Sequence, residues 1–509
     1  MKVTISQINP KTLDFEYNFN LIQEKIKESD VDSLIIFPEL SLSGSPLYDS
    51  ISYNDTHNKS IQYADKLSEL KKDFIFGLPI NQNGEILNAL AFIENGELKA
   101  ISTKKDLNRF DKGFFSGEGF CTIEYKKQTI AFGFLEDLDE YLKKQDKADL
   151  IICSSNILFT PETQKELLTS LQPKIRKTPI VLVNRCGAEA SYIFNGSSFF
   201  MLSNGDLSKE LPLFEESSLQ IETQKTEKYT QSPLCRIEKM YHAAVLGIKD
   251  YFRKNNIRKA LLGLSGGIDS ALVVVLAVEA LGKENVIGVL LPSEYSTSHS
   301  ITDAKASAEN LGIEYYTIPI KETFTSALTA LSPIFEGKEP NVAEENLQSR
   351  IRGMILMGIA NKIGAALLNT TNKSELSVGY GTLYGDTNGA IGALGDIFKT
   401  DVWEMSRWIN RNEEIIPQNS IIKAPSAELR PDQKDTDSLP DYDILDKVLF
   451  LHLEQRLSRE EIINQGFESN IVDKILRLVK INEWKRHQVA PLLRMSNSAL
   501  GIERIMPIS

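Results

Sequence analysis

Six consecutive residues, Ser265-Gly266-Gly267-Ile268-Asp269-Ser270, carry the most explicit chemistry in the chain. They follow the apolar run Leu261-Leu262-Gly263-Leu264 and precede an apolar segment that starts at Ala271. A buried strand, a glycine turn and a helix start, in that order, aim backbone N–H groups at an anion, and the helix dipole adds to the attraction. The glycines let a phosphate approach the backbone closely, and the two serines add hydroxyl donors. Asp269 supplies an oxygen ligand for Mg²⁺. No Gly-Lys-Ser/Thr follows, so this is not a Walker A loop.

Other polar residues fall where they can serve the same ligand. In the helix expected over 344–362, Leu347, Ile351, Ile355 and Ile359 share one buried face. Asn346 and Arg350 lie off that face and can reach a ligand. Glu375 follows a strand end and can join Asp269 on Mg²⁺. Lys399, near a helix start, suits a polyphosphate. Taken alone, Asn346 and Arg350 also read as solvated helix residues, Glu375 as a helix N-terminal charge and Lys399 as a surface lysine.

The six-residue loop resembles that of the adenylating ATP pyrophosphatases, which grips the β,γ-phosphates of the leaving pyrophosphate. Further stretches narrow the resemblance: Leu291-Pro292-Ser293-Glu294-Tyr295, Glu345-Asn346-Leu347-Gln348-Ser349-Arg350, Thr370-Thr371-Asn372-Lys373-Ser374-Glu375, Tyr384-Gly385-Asp386, Asp396 to Thr400, Pro425 to Pro431 and Glu483-Trp484-Lys485. In this order and spacing, residues 235–509 closely resemble the synthetase domain of NAD synthetases. The resemblance implies that Gly263, Leu264, residues 265–270 and Thr370 bind ATP. It implies that Asn346, Arg350, Glu375 and Lys485 contact deamido-NAD, that Asp269 and Glu375 share Mg²⁺, and that Asp269 and Lys399 serve catalysis. The implied reaction activates the nicotinate carboxylate as an adenylate, releasing pyrophosphate, and ammonia then displaces AMP to give NAD. Family members pair through this domain, which implies a homodimer or a larger homo-oligomer.

The first part of the chain resembles the nitrilase-like carbon–nitrogen hydrolases, which use Glu, Lys and Cys to take an amide apart. Phe37-Pro38-Glu39-Leu40 matches the glutamate element, and Lys104-Lys105-Asp106-Leu107 the lysine element. The third element, normally Cys-Glu-Asp, reads Leu135-Glu136-Asp137. Leucine has no nucleophilic atom, so no thioester can form there. Phe110 stands for the expected tyrosine, and Ile157-Leu158 falls where a small polar residue is expected. The expected nitrogen donor is therefore ammonia. Alternatives are glutamine used through a partner protein or through Cys153 as a substitute nucleophile, amidation of nicotinate mononucleotide, or a nucleotide-binding pseudoenzyme.

The elements that must position these residues are legible as two α/β halves. Short apolar runs at Val3–Ile8, Ser33–Phe37, Phe74–Ile80, Ile130–Phe134, Leu150–Cys153 and Ile180–Asn184 read as strands. Asn83-Gly84, Asn95-Gly96 and Asn204-Gly205 read as hairpin turns, and helices are expected over 15–28, 57–71 and 161–175. By resemblance this half is a nitrilase-like αββα sandwich over residues 1–215. Residues 216–234, polar and aperiodic, read as a linker. Residues 235–509 begin with a long helix and continue as a Rossmann-like parallel sheet: strand 259–264, helix 269–281, strand 285–291, helix 299–311 and strand 314–319, with a mostly helical end.

The chain has 509 residues, a formal net charge of −12 and no block of Lys and Arg, which argues against nucleic acid as a partner. The four cysteines include no CxxC pair, so neither a zinc site nor a disulfide framework is expected. No apolar segment is long enough to span a membrane and the N-terminus lacks a signal-peptide pattern, so a cytoplasmic location is expected.

Overall fold

A computed structural model describes residues 1–144, 147–175, 177–224, 229 and 234–508. The chain divides after residue 233 into two units.

The first unit is built on two six-stranded sheets. One runs Ser217–Glu222, Lys2–Gln7, Leu34–Ile36, Phe74–Gln82, Glu85–Glu94, Glu97–Thr103. The other runs Leu207–Glu210, Phe199–Met201, Ile180–Asn184, Leu150–Ser155, Gln128–Phe134, Cys121–Tyr125. Side chains alternate across each sheet with the period of two that the pleat imposes. Val3, Ile5, Ile36 and Ile75 of the first sheet meet Phe132, Phe134, Ile152 and Val183 of the second in the central layer. The outward set of the first sheet, including Ile35, Phe74 and Phe76, packs against Phe15, Ile22 and Ile26 of helix Phe15–Glu28. Ala131, Ile151 and Cys153 of the second pack outward against Leu138 and Leu171, from helices Leu138–Lys144 and Thr163–Leu171. The result is the expected αββα sandwich. Asn83-Gly84 and Asn95-Gly96 form two-residue hairpin turns with positive φ at all four positions, the geometry that matches strand twist.

One expected boundary is corrected. Residues 217–222, read as linker, form an edge strand paired antiparallel with Lys2–Gln7, from Lys2↔Glu222 to Gln7↔Ser217. Leu219 and Ile221 point into the central layer while Ser218, Gln220 and Glu222 face solvent. Half the strand is polar because half of it is wet, and that masked the alternation. Of the remaining linker, residues 225–228 and 230–233 lie outside the described residues.

The second unit carries a five-stranded, all-parallel sheet in the order Glu314–Thr317, Val286–Leu290, Lys259–Gly263, Ala365–Asn369, Ile391–Gly392. The first strand in sequence is central, and the chain builds outward to one side and then the other. This reversal opens a crevice at the carboxyl ends of the strands. Helix Val342–Ile363 covers one face, burying Ile351 with Leu261, Val289 and Leu367. Helix Ile268–Leu281 covers the other, apolar nearly all round because helices Arg236–Lys254 and Lys399–Ile409 pack over it. Residues beyond 440 form a further helical cluster around Leu445, Leu449, Val472 and Ile475. Among the described residues no helix is long and apolar enough to cross a membrane.

Candidate active site

A cavity of about 300 Å³ opens at the crevice of the second unit, rimmed by Gly263 to Ser265 and Gly267 to Ser270, by Val289 to Pro292 and by Leu367, Leu368, Thr370 and Thr371; Gly266, expected at the site, turns away beneath it. Its floor is the glycine turn. Gly266 has φ +79°, and a Cβ there would sit 2.2 Å from the Ser300 carbonyl oxygen, so only glycine fits. Gly267 caps helix Ile268–Leu281, whose first-turn N–H groups have no intrahelical acceptor and face the cavity end. The Ser265 and Ser270 hydroxyls lie 3.1 Å apart; Ser265 Oγ accepts from the Gly267 N–H at 3.2 Å and Ser270 Oγ donates to the Gly267 carbonyl at 3.0 Å. These bonds hold the turn open.

Three charged side chains converge beside it. Lys399 Nζ donates to Asp269 Oδ2 and lies 3.5 Å from Glu375 Oε1. Asn372 fixes the two acids from between: its amide donates to Asp269 Oδ1 at 2.9 Å, and its own carbonyl caps the helix that carries Glu375, accepting from the Glu375 N–H at 3.0 Å. Burial drives the Glu375 carboxyl up to about 8, with Lys399 pulling it down and Asp269 pushing it up. Burial pulls Lys399 down, but Asp269 and Glu375 outweigh it and hold the ammonium firmly charged. Lys399 is itself positioned through its backbone. Its N–H donates to Ser374 Oγ at 2.9 Å, Ser374 Oγ donates to Asp446 Oδ1, and Asp446 Oδ2 accepts from the Thr400 N–H at 2.8 Å. Asp435, on the same cavity wall, accepts from the Tyr380 hydroxyl at 3.0 Å and the Tyr442 hydroxyl at 2.8 Å.

Most of the residues expected at the site therefore meet there: Gly263, Leu264, Ser265, Gly267, Ile268, Asp269, Ser270, Thr370, Glu375 and Lys399 all line the cavity. Asn346, Arg350 and Lys485 do not. They gather around the turn at 379–383: Asn346 Oδ1 accepts from Thr382 Oγ1 at 2.7 Å, Arg350 Nε donates to the Leu383 carbonyl at 3.3 Å, and Lys485 Nζ donates to the Gly379 and Gly381 carbonyls at 2.8 and 3.1 Å. The helix instead presents Ser349, Arg352, Gly353 and Leu356 to the cavity. Their spacing of three and four residues marks one helical face, a signal present in the sequence but not used there. Asp386, Glu428 and Asp435 are likewise lining residues that sequence reasoning did not single out.

In the first unit, Glu39, Lys104 and Leu135 each stand just past a strand. Lys104 Nζ lies 2.9 Å from Glu39 Oε1, 3.0 Å from Asp111 Oδ2 and 2.9 Å from Glu136 Oε1, with Lys104 and Glu39 almost wholly buried. The ammonium thus donates hydrogen bonds to Glu39 and Glu136 and forms an ion pair with Asp111. Burial drives Glu39 up to about 8 against the pull of Lys104. Leu135 packs with Ile157 into the outer, helix-covered layer. Phe110 stacks edge-on against Tyr192 at 4.8 Å. Cys153, the alternative nucleophile, is fully buried in that same outer layer, its thiol pushed up by burial. Its neighbour Ser154 is the residue that points inward, donating to the Phe37 carbonyl at 3.0 Å.

The second unit supplies the class: residues 240–489 match the NAD synthase family. Over its whole length the chain is 38% identical to the glutamine-dependent NAD(+) synthetase of Synechocystis sp., covering 98% of that protein, and 34% identical to that of Thermotoga maritima, again covering 98%. The glutamine-dependent NAD(+) synthetase of Acinetobacter baumannii, solved with ADP, is 31% identical and superposes with a TM-score of 0.78 over 100% of this chain and 98% of that one. A Cytophaga hutchinsonii homologue, 22% identical, shares the fold with a TM-score of 0.84 over 100% and 97%. The chain belongs to the glutamine-dependent NAD(+) synthetase family and is a carbon–nitrogen ligase.

Proposed function

We propose that this protein amidates deamido-NAD to NAD with ATP and free ammonia. The observation that carries the choice of donor is Leu135, a side chain without a nucleophile at the strand end where an amidase needs one. The relatives' names record glutamine dependence; this chain keeps Glu39 and Lys104 but has nothing for Glu39 to deprotonate.

In the second unit the glycine turn and the start of helix Ile268–Leu281 receive the β- and γ-phosphates of ATP, and Thr370 contacts the nucleotide at the next strand end. The nicotinate carboxylate attacks the α-phosphorus; the bond to the bridging oxygen breaks and pyrophosphate leaves. Lys399 lies where negative charge accumulates on that leaving group. Ammonia adds to the acyl carbon and loses a proton, the bond from that carbon to the oxygen that attacked phosphorus breaks, and AMP departs with that oxygen while the other carboxyl oxygen stays in the amide. Asn346, Arg350 and Lys485 shape the turn at 379–383, and deamido-NAD docks against it.

Asp269 and Glu375 fit Mg²⁺, which is held by one or two carboxylates together with substrate phosphates and water. Both acids converge on one point, now bridged by Lys399, and among the described residues no group of three or more His, Cys, Asp or Glu forms a closed metal site. A metal there would neutralise phosphate charge. The exposed apolar side chains Ile334, Met354, Met357 and Ile363, on helices Lys321–Phe335 and Val342–Ile363, support a homodimer through this unit.

NAD formation is measured with ammonium, with glutamine, and with nicotinate mononucleotide replacing deamido-NAD. Ammonium with deamido-NAD supports turnover and glutamine stays at background. Equal rates from glutamine, in a preparation free of glutaminase, overturn the donor assignment.

A further inference from the structure

We infer that Arg352 is a further cation, besides Lys399, that grips a phosphate of the bound nucleotide. This rests on the reading of the cavity as the ATP site and adds to it a residue with no role so far. The cavity wall carries the carboxylates of Asp269, Glu375, Asp386, Glu428 and Asp435. ATP brings several more negative charges to the same space, so cations on the wall decide whether it can enter. Three line it: Lys399, Lys423 and Arg352. Lys399 meets a phosphate only by sharing its charge with Asp269 and Glu375, and Lys423 by sharing it with Glu428 at 2.8 Å and the Ser300 hydroxyl.

Arg352 differs. Its one hydrogen bond runs from Nε to the Leu291 carbonyl at 3.0 Å, and among the described residues no carboxylate lies within ion-pairing distance. That bond pins the side chain at the carboxyl end of strand Val286–Leu290, leaving the two terminal nitrogens of the guanidinium fork for a ligand. The burial that would ordinarily expel an unpaired cation is opposed here only by the more distant charges of Glu428 and Asp386. One turn along the helix, Leu356 comes within 3.3 Å of the position a Cβ would take on Gly263, at the foot of the glycine turn. Arg352 therefore stands beside the loop that receives the phosphates, on a fixed helix, with its fork free. A planar fork anchored at one end suits phosphate oxygens better than a lysine would.

The test compares Arg352→Met and Arg352→Lys with wild type in calorimetric binding of Mg-ATP, AMP and adenosine, after matched thermal melts. Wild type binding no ATP refutes the reading of the cavity itself. With wild-type binding intact, Arg352→Met weakens ATP by about 30-fold, the scale of a charge-assisted contact, and leaves adenosine unchanged; Arg352→Lys falls between. AMP weakened equally places the contact on the α-phosphate, and AMP unaffected places it on the β- or γ-phosphate. Unchanged ATP affinity, or adenosine weakened as much as ATP, overturns the inference.

Discussion

Replacing Lys399 by methionine separates electrostatic catalysis from folding at this site. The ammonium lies 3.5 Å from Glu375 Oε1, where an ionised carboxylate is attracted by about 5 kcal/mol at an effective dielectric of about 20. Losing it would ordinarily leave two half-buried acids facing each other. Glu375, however, already sits near 8 and takes up a proton instead, so the variant folds and melts within a few degrees of wild type. The missing charge is felt when pyrophosphate leaves. Removal of one preorganised donor to a developing anion costs roughly 10²- to 10³-fold in kcat, about 3–4 kcal/mol. The assay is AMP release with saturating ATP, deamido-NAD, Mg²⁺ and ammonium. A variant that melts normally and keeps kcat within threefold of wild type refutes the assignment of Lys399 to the leaving group.

Asp446→Asn removes one acceptor from the pair that holds Ser374 and the Thr400 N–H; kcat falls about 10-fold or more through misplacement of Lys399 while the affinity for ATP is unchanged, as steady-state kinetics and calorimetry will show. Lys104→Met leaves Glu39, Asp111 and Glu136 without their common cation and destabilises the first unit by about 3–5 kcal/mol in urea melts; unchanged melts would mean that the cluster is not ionised. Glu39 is raised from an ordinary 4.5 to about 8, so its protonated form favours folding: that stability is full below about 4.5 and is lost as pH rises through about 8. Glu39→Gln cannot titrate, so urea midpoints taken between pH 5 and 8.5 decline less than those of wild type; equal slopes refute the shift. Leu135→Cys does not restore glutamine-dependent NAD formation, because Phe110 and Ile157 still replace the polar residues expected around an amide; activity with glutamine in that variant refutes the account.

The glycine turn was legible because local rules coincide there: an apolar strand, glycines at the bend and a helix start within a dozen residues. The parallel sheet was legible for the same reason. Lys399 and Asp269 stand 130 residues apart, and only motif resemblance brought them together before the fold did. The flanks of helix Val342–Ile363 show where local pattern stops. Its buried face was read correctly from Leu347, Ile351, Ile355 and Ile359. That face has two polar flanks, Asn346 with Arg350 on one side and Ser349 with Arg352 on the other. Which flank meets the cavity depends on how the helix crosses the sheet, a property of the fold rather than of the helix. Strand Ser217–Glu222 escaped notice through its wet half, since the partner that makes it a strand is Lys2–Gln7 at the far end of the unit.

The persistence of Glu39 and Lys104 beside Leu135 has a physical reason independent of amidase activity. Leu135 is only partly buried and packs, like Ile157, against a layer that is already hydrophobic, so no polar partner depends on it. Lys104 has no such freedom. It is buried, and its loss strands carboxylates that belong to three different segments, at 39, 111 and 136. Nor can Glu39 be removed cleanly, since the Asn88 amide also donates to it, at 2.6 Å. Glu39 and Lys104 are thus held by the electrostatics of the fold, and Leu135 takes no part in that cluster. Their presence is therefore expected from the packing of the unit with or without glutamine hydrolysis, and the proposal of ammonia as donor rests on Leu135.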